Sequence, residues 1–85
     1  MDPEDMIQNG IYYFADHGNG MEIAQYDRME GSNVYTFYSI RPSALSFSGP
    51  KLWGTTSDTG AIRLATPAEI LHLLACITAG IYVPA

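Results

Sequence analysis

The densest apolar stretch lies near the C-terminus, where Ile70, Leu71, Leu73, Leu74, Ala75, Cys76, Ile77 and Ala79 leave no broad polar side on a helix. The punctuation around it predicts a helix over 67–79. Thr66 stands at the cap position with Glu69 three residues on, the spacing of a capping box. Pro67 takes the first helical position, where its missing N–H removes no bond. Gly80 supplies the left-handed residue that closes a helix C-terminus. A helix this apolar needs cover on more than one side. Burying Ile70, Leu73, Leu74 and Ile77 would stabilise the fold by roughly 1.5–3 kcal/mol per side chain, so Leu73→Asp is expected to unfold the chain.

Upstream the period changes to that of strands. Ile11–Ala15 and above all Val34–Ile40 are rich in β-branched and aromatic residues, which favour a pleated surface, and Met21–Asp27 is a further strand candidate between them. Turn-forming residues separate them: Asp16-His17-Gly18-Asn19-Gly20 after the first, and Glu30-Gly31-Ser32 within the 28–33 connection. Three strands joined this way form an antiparallel meander. Pro42 ends the third. Beyond it, Leu45–Phe47 and Lys51–Trp53 read as short edge strands divided by Ser48-Gly49-Pro50, and Ala61–Ala65 as a last strand leading into the helix. Asp2 and Pro3 suit a short N-terminal helix that Gly10 would end.

Alternation sorts the meander into two faces. One carries Ile11, Tyr13, Met21, Ile23, Val34, Thr36, Tyr38 and Ile40; the other Tyr12, Phe14, Ala24, Tyr26, Tyr35 and Phe37. Neither is polar, although a sheet covered on one side should alternate apolar with polar. Three arrangements satisfy this pattern: a strongly curled sheet, a helix on one face with a partner on the other, or dimerisation through the sheet. The fold class is α+β: a small curled antiparallel sheet of four or five strands, SH3-like or a meander, with one C-terminal helix. The 85 residues form one domain, divided into an acidic segment (1–10), the meander (11–40), a loop with edge strands (41–65) and the helix (66–80).

Composition narrows the function. Hydrophobic residues make up 47% and charged residues 15%, against roughly 25% charged in an average domain. A surface so sparsely charged leaves apolar area to share with a partner or a second copy. The net charge of −5, with only Arg28, Arg41, Lys51 and Arg63 basic, argues against direct nucleic-acid binding, which takes clustered cations. The lone Cys76 forms no internal disulfide. The acidic start is unlike a signal peptide, and no apolar run reaches the roughly 18–20 residues of a membrane helix. The expectation is a cytoplasmic protein, with no membrane partner.

Candidate chemistry is thin. Glu69, His72 and Cys76 share a helix face and contain metal-ligand types, but a zinc site needs more convergent ligands. The bland reading makes Glu69 a capping partner, His72 a polar point facing water and Cys76 a small buried hydrophobe. There is no Gly-x-Ser-x-Gly elbow, and Gly18-Asn19-Gly20 lacks the lysine of a phosphate loop. Asp27 and Glu30 read as solvated turn residues. No catalytic set, metal site or cofactor is expected. The aromatics are the best lead: Tyr12, Phe14, Tyr26, Tyr35, Phe37 and Trp53 form either a partner-binding patch, since aromatics are enriched in interface cores, or the core of the sheet itself. A stacking platform for single strands would need a basic groove beside it.

The segment Ile62-Arg63-Leu64-Ala65-Thr66-Pro67-Ala68-Glu69-Ile70, continued by Leu73, Ala75-Cys76-Ile77 and Ala79-Gly80-Ile81-Tyr82-Val83-Pro84, resembles the ending of small uncharacterised proteins of phages and mobile elements. In these, a β-meander precedes a final helix that begins "I-R-x-A-T-x-E-E". The resemblance covers about a quarter of the chain. It implies a mobile-element origin and a small sheet closed by a C-terminal helix, and it carries over no catalytic residue. The resulting expectation is a non-enzymatic protein that binds and inhibits or modulates a host protein, including a defence component in the manner of an anti-CRISPR. The alternatives are a homo-oligomeric structural protein and an acidic mimic of nucleic acid. The mimic would require Asp2, Glu4, Asp5, Asp16, Glu22, Asp27, Glu30 and Asp58 to be spaced like phosphates.

Overall fold

The computed structural model describes residues 5–15, 20–31, 34–54 and 61–85, with Trp53 and Gly54 described by backbone alone. Five strands form one open antiparallel sheet: β1 (Ile11–Phe14), β2 (Glu22–Gly31), β3 (Val34–Arg41), β4 (Ser46–Gly54) and β5 (Ile62–Leu64). They lie in the order β4-β3-β2-β1-β5, so the first four make the meander and β5 adds to the free edge of β1. The helix α1 (Pro67–Ala79) follows. The α+β class, the curled antiparallel sheet and the single C-terminal helix are those the pattern predicts.

The helix ends match the sequence signals. The Thr66 side chain accepts from the Glu69 amide, and the Glu69 carboxylate accepts from the Thr66 amide. Gly80, at φ 74°, donates to the carbonyls of Cys76 and Ile77. Two strand predictions are corrected. β2 continues through Arg28 to Gly31. Its register against β3 shifts between Tyr26 and Arg28 and again between Met29 and Gly31, so Asp27 and Glu30 are the extra residues of two bulges. Both carboxylates lie near the Arg28 guanidinium, at 3.5 and 2.9 Å. β4 is one strand through Ser48-Gly49-Pro50. Its register against β3 shifts there, with Phe37 opposite Lys51 but Ser39 opposite Ser48. An edge strand at a bulge is where a proline fits without losing a ladder bond. The helix start at Asp2-Pro3, the turn residues 16–19 and 32–33, and Asp58 lie outside the described residues.

The two apolar faces are covered differently. Ile23 and Ile40 pair across β2 and β3 and pack beneath Leu73 and Cys76 of α1. Ile11, Tyr13, Met21, Phe47, Ala65, Ile77, Tyr82 and Val83 surround them. The opposite face holds Tyr12, Phe14, Ala24, Tyr35, Phe37 and Ile62, with Met6 of the N-terminal segment among them and Tyr26 packed alongside. Phe14 and Phe37 come from strands that do not pair, yet their rings meet edge to face at 5.6 Å. The small Ala24 on the intervening β2 leaves room for that approach, which curls the sheet toward this side. Of the three arrangements the pattern left open, this chain combines a curled sheet with a helix on its other face.

Candidate functional site

Three features bear on function. The first is the aromatic group. Tyr12, Phe14, Tyr35 and Phe37 are buried in the second core, and Tyr26 is half-buried at its margin. Tyr26 meets Tyr35 edge to face at 5.4 Å and lies 5.8 Å from Phe37, within the range of favourable ring pairs. Burial, with the adjacent Tyr35, pushes the Tyr26 phenol above its ordinary pKa. The backbone of Trp53 pairs with Tyr35; its side chain lies outside the described residues. Five of the six candidate aromatics therefore share one face, and four of them are covered within the single chain.

The second feature is the outer side of α1. Leu73 and Cys76 point to the sheet and are fully buried. Leu74, expected in the core, is 41% exposed, and Leu71 is 70% exposed. One helix axis cannot aim residues 73 and 74 the same way, because they lie about 100° apart. After Gly80 the chain turns back along the helix. His72 Nε2 donates to the Val83 carbonyl at 2.6 Å, and the Val83 amide donates to Cys76 Sγ at 3.3 Å. The His72 and Tyr82 rings meet at 5.3 Å. His72 thus anchors the returning segment, which corrects the expectation that it faces water. A shallow cavity of about 350 Å³ lies between helix and returning segment, lined by Ala68, Leu71, His72, Ala75, Pro84 and Ala85. Ile81, just past the helix cap, is 64% exposed.

Glu69, His72 and Cys76 serve separate partners. Glu69 receives two hydrogen bonds from the Arg63 guanidinium, at 2.9 and 3.1 Å. The Arg63 bond, with the cap bonds at Thr66, holds the Glu69 carboxyl below its usual pKa against a smaller opposing effect of burial. Arg63 also lies over the Tyr13 ring at 3.9 Å. Among the described residues no three of His, Cys, Asp and Glu converge as a metal site.

The third feature is one that the sequence pattern alone does not predict. At one end of the aromatic face the residues become polar. Glu22, beside Phe14 in register, forms an ion pair with Arg41 and is only 4% exposed. Ser39 is also buried. Together with Ser46, Ser48 and Lys51 these residues line a cavity of about 290 Å³. The β3–β4 connection shapes it: Pro42–Ala44 form one 3-10 turn, Leu45 follows at φ 51°, and Arg41 then pairs with Ser46. The signal in the sequence is Ser39, Arg41, Ser46 and Ser48 on a face otherwise aromatic. Finding it requires the β4 register, which the predicted turn at Ser48–Pro50 conceals. His72 belongs to the helix on the opposite side of the sheet, so it supplies no base to these serines.

No helix among the described residues is long and apolar enough to cross a membrane. In comparisons with known proteins the chain matches no family model, no curated protein and no solved structure.

Proposed function

We propose that this chain is a non-enzymatic interaction protein that binds a host protein of the cell in which it acts and modulates it by occlusion. The observation that supports the reading is the uncovered side of α1, where Leu71 and Leu74 stand exposed at 70 and 41%, with Ile81 of the returning segment exposed at 64%. Glu69 is the one charged residue in the helix, and Arg63 holds it. Full burial of an exposed leucine or isoleucine is worth roughly 1.5–3 kcal/mol, and each of these gains the fraction of it that its remaining exposure allows. The aromatics of the sheet serve the core, and α1 with the returning segment serves the partner. The net charge of −5 selects a partner whose apolar docking patch is rimmed by basic residues, and it disfavours a second equally acidic copy. A phage or mobile-element origin fits such a role.

The test compares the wild type with a Leu71→Glu/Leu74→Glu variant. Both substitutions are at exposed positions and should leave the fold intact, as circular dichroism would verify. In affinity capture from bacterial lysate, the wild type should retain a specific protein that the variant loses, and light scattering should give a monomer. Equal capture by both proteins, or none above background, refutes the reading. A stable wild-type dimer that the variant splits would make the occupant a second copy and refute the host-partner reading.

A further inference from the structure

We propose that the polar cleft between β2, β3 and β4 is a binding site for a small phosphomonoester. The cleft interrupts a face that elsewhere packs aromatic rings. Placing Glu22, Ser39 and Arg41 there is a poor way to gain stability, because the pair is largely desolvated, at 22% (Arg41) and 6% (Glu22) side-chain exposure, and the attraction in such a pair is offset by the cost of desolvation. Local departures from the pattern of a fold concentrate at functional sites. The chain has four Lys and Arg in all, and two of them, Arg41 and Lys51, line this one cavity with three serines. In a protein of net charge −5, that is a local concentration of positive charge against the background field.

The donor set selects the ligand. A carboxylate presents two acceptor oxygens in a plane. A phosphomonoester presents three around a tetrahedral centre, carries nearly two charges at neutral pH, and suits guanidinium, ammonium and hydroxyl donors that converge from different strands. Glu22 does not cancel the site: its carboxylate is buried against Arg41 and fixes the guanidinium in place, while Lys51 is exposed. The cavity of about 290 Å³ stands at the small end of ligand pockets, about 300–1,000 Å³, which suits a phosphate with a compact organic group. The β3–β4 hairpin brings the donors together. Leu45 adopts a left-handed conformation there, which a non-glycine residue holds only at an energetic cost, and the turn places Arg41 opposite Ser46.

The proposal is tested by titrating the full chain with inorganic phosphate and glycerol 2-phosphate and following amide chemical shifts. Acetate and chloride at matched ionic strength serve as controls. Saturable shifts confined to residues 22, 39–41 and 46–51 are expected, with glycerol 2-phosphate binding at least as well as phosphate. Lys51→Ala and Ser48→Ala should each weaken binding about three- to tenfold, the equivalent of one lost charge-assisted or hydroxyl bond, with an unchanged melting temperature. Arg41 is left intact because its loss would strand the buried Glu22. No saturable shift up to about 10 mM (about 2.7 kcal/mol of affinity) overturns the proposal. Binding that acetate matches, or that both variants retain in full, also overturns it.

Discussion

Gly10→Ala provides a sharp test of how the N-terminal segment closes the aromatic core. A Cβ built at Gly10 would stand 2.6 Å from Tyr12 Oη, 2.8 Å from its Cε2 and 2.9 Å from its Cζ. Neither side can readily retreat. The Gly10 carbonyl accepts from the Tyr26 amide at 2.9 Å, and the Asn9 amide donates to the Tyr26 carbonyl at 2.7 Å, so this backbone is tied to β2. Tyr12 is 1% exposed, and its Oη accepts from the Ile7 amide at 2.8 Å. Forcing a methyl into a packed site costs about 1–3 kcal/mol, and losing the Ile7 bond about 1 kcal/mol. Stiffening the unfolded chain offsets about 0.4–1 kcal/mol of this. The net is a destabilisation of about 1–3 kcal/mol. For a domain of this size each kcal/mol lowers the melting temperature by roughly 4–8 °C. Thermal and urea unfolding by circular dichroism would measure it. Combining Gly10→Ala with Tyr12→Phe should destabilise by less than the two single changes together, because the second removes the nearest clashing atom. A Gly10→Ala protein that melts at or above the wild-type temperature refutes this packing. So does strict additivity, within about 0.5 kcal/mol.

Two further outcomes test the helix. Leu73→Ala should cost about 2–5 kcal/mol, the range for truncating a fully buried leucine, whereas Leu71→Ala on the exposed side should stay within about 0.5 kcal/mol; comparable urea midpoints for the two would place the helix on the sheet by a different face. The Arg63–Glu69 pair predicts a pH dependence of definite sign. Because the folded Glu69 carboxyl titrates below its ordinary value of 4.5, the pair's stabilisation is complete above pH 4.5 and is lost as pH falls through the lower folded value. Arg63 is 46% exposed, so the loss is the small one of a solvent-screened surface pair. Arg63→Gln should show a correspondingly shallower decline in stability as pH falls below 4.5, and a decline equal to the wild type's would remove the pair from the account.

What the sequence made legible follows the range of the interactions involved. The helix was readable to its ends because Thr66, Pro67, Glu69 and Gly80 act within a turn or two of the backbone they cap. The meander was readable because its strands pair in sequence order. The extent of β2 and β4 was not, since Gly31 and Gly49-Pro50 look the same to local rules whether they turn a chain or sit in a strand beside a bulge. Leu74 went astray for a related reason: eight apolar residues between 70 and 79 hide which side faces the sheet, and only the position of Ile23 and Ile40 beneath Leu73 settles it. His72 looked solvated because its acceptor, the Val83 carbonyl, lies eleven residues on and beyond a reversal of the chain.

The polar cleft and the uncovered helix lie on opposite sides of the sheet, which makes the two assigned roles separable. Ile23 and Ile40 face α1, whereas Glu22, Ser39 and Arg41, their neighbours in the chain, face the cleft. A partner seated on Leu71 and Leu74 would leave the cleft open. A ligand in the cleft is separated from the partner surface by the sheet, whose strands β2, β3 and β4 all contact α1. The Leu71→Glu/Leu74→Glu protein should therefore bind glycerol 2-phosphate like the wild type, and Lys51→Ala should retain the captured partner in full. Loss of both activities in either protein, with the fold intact by circular dichroism, would refute the independence of the two faces.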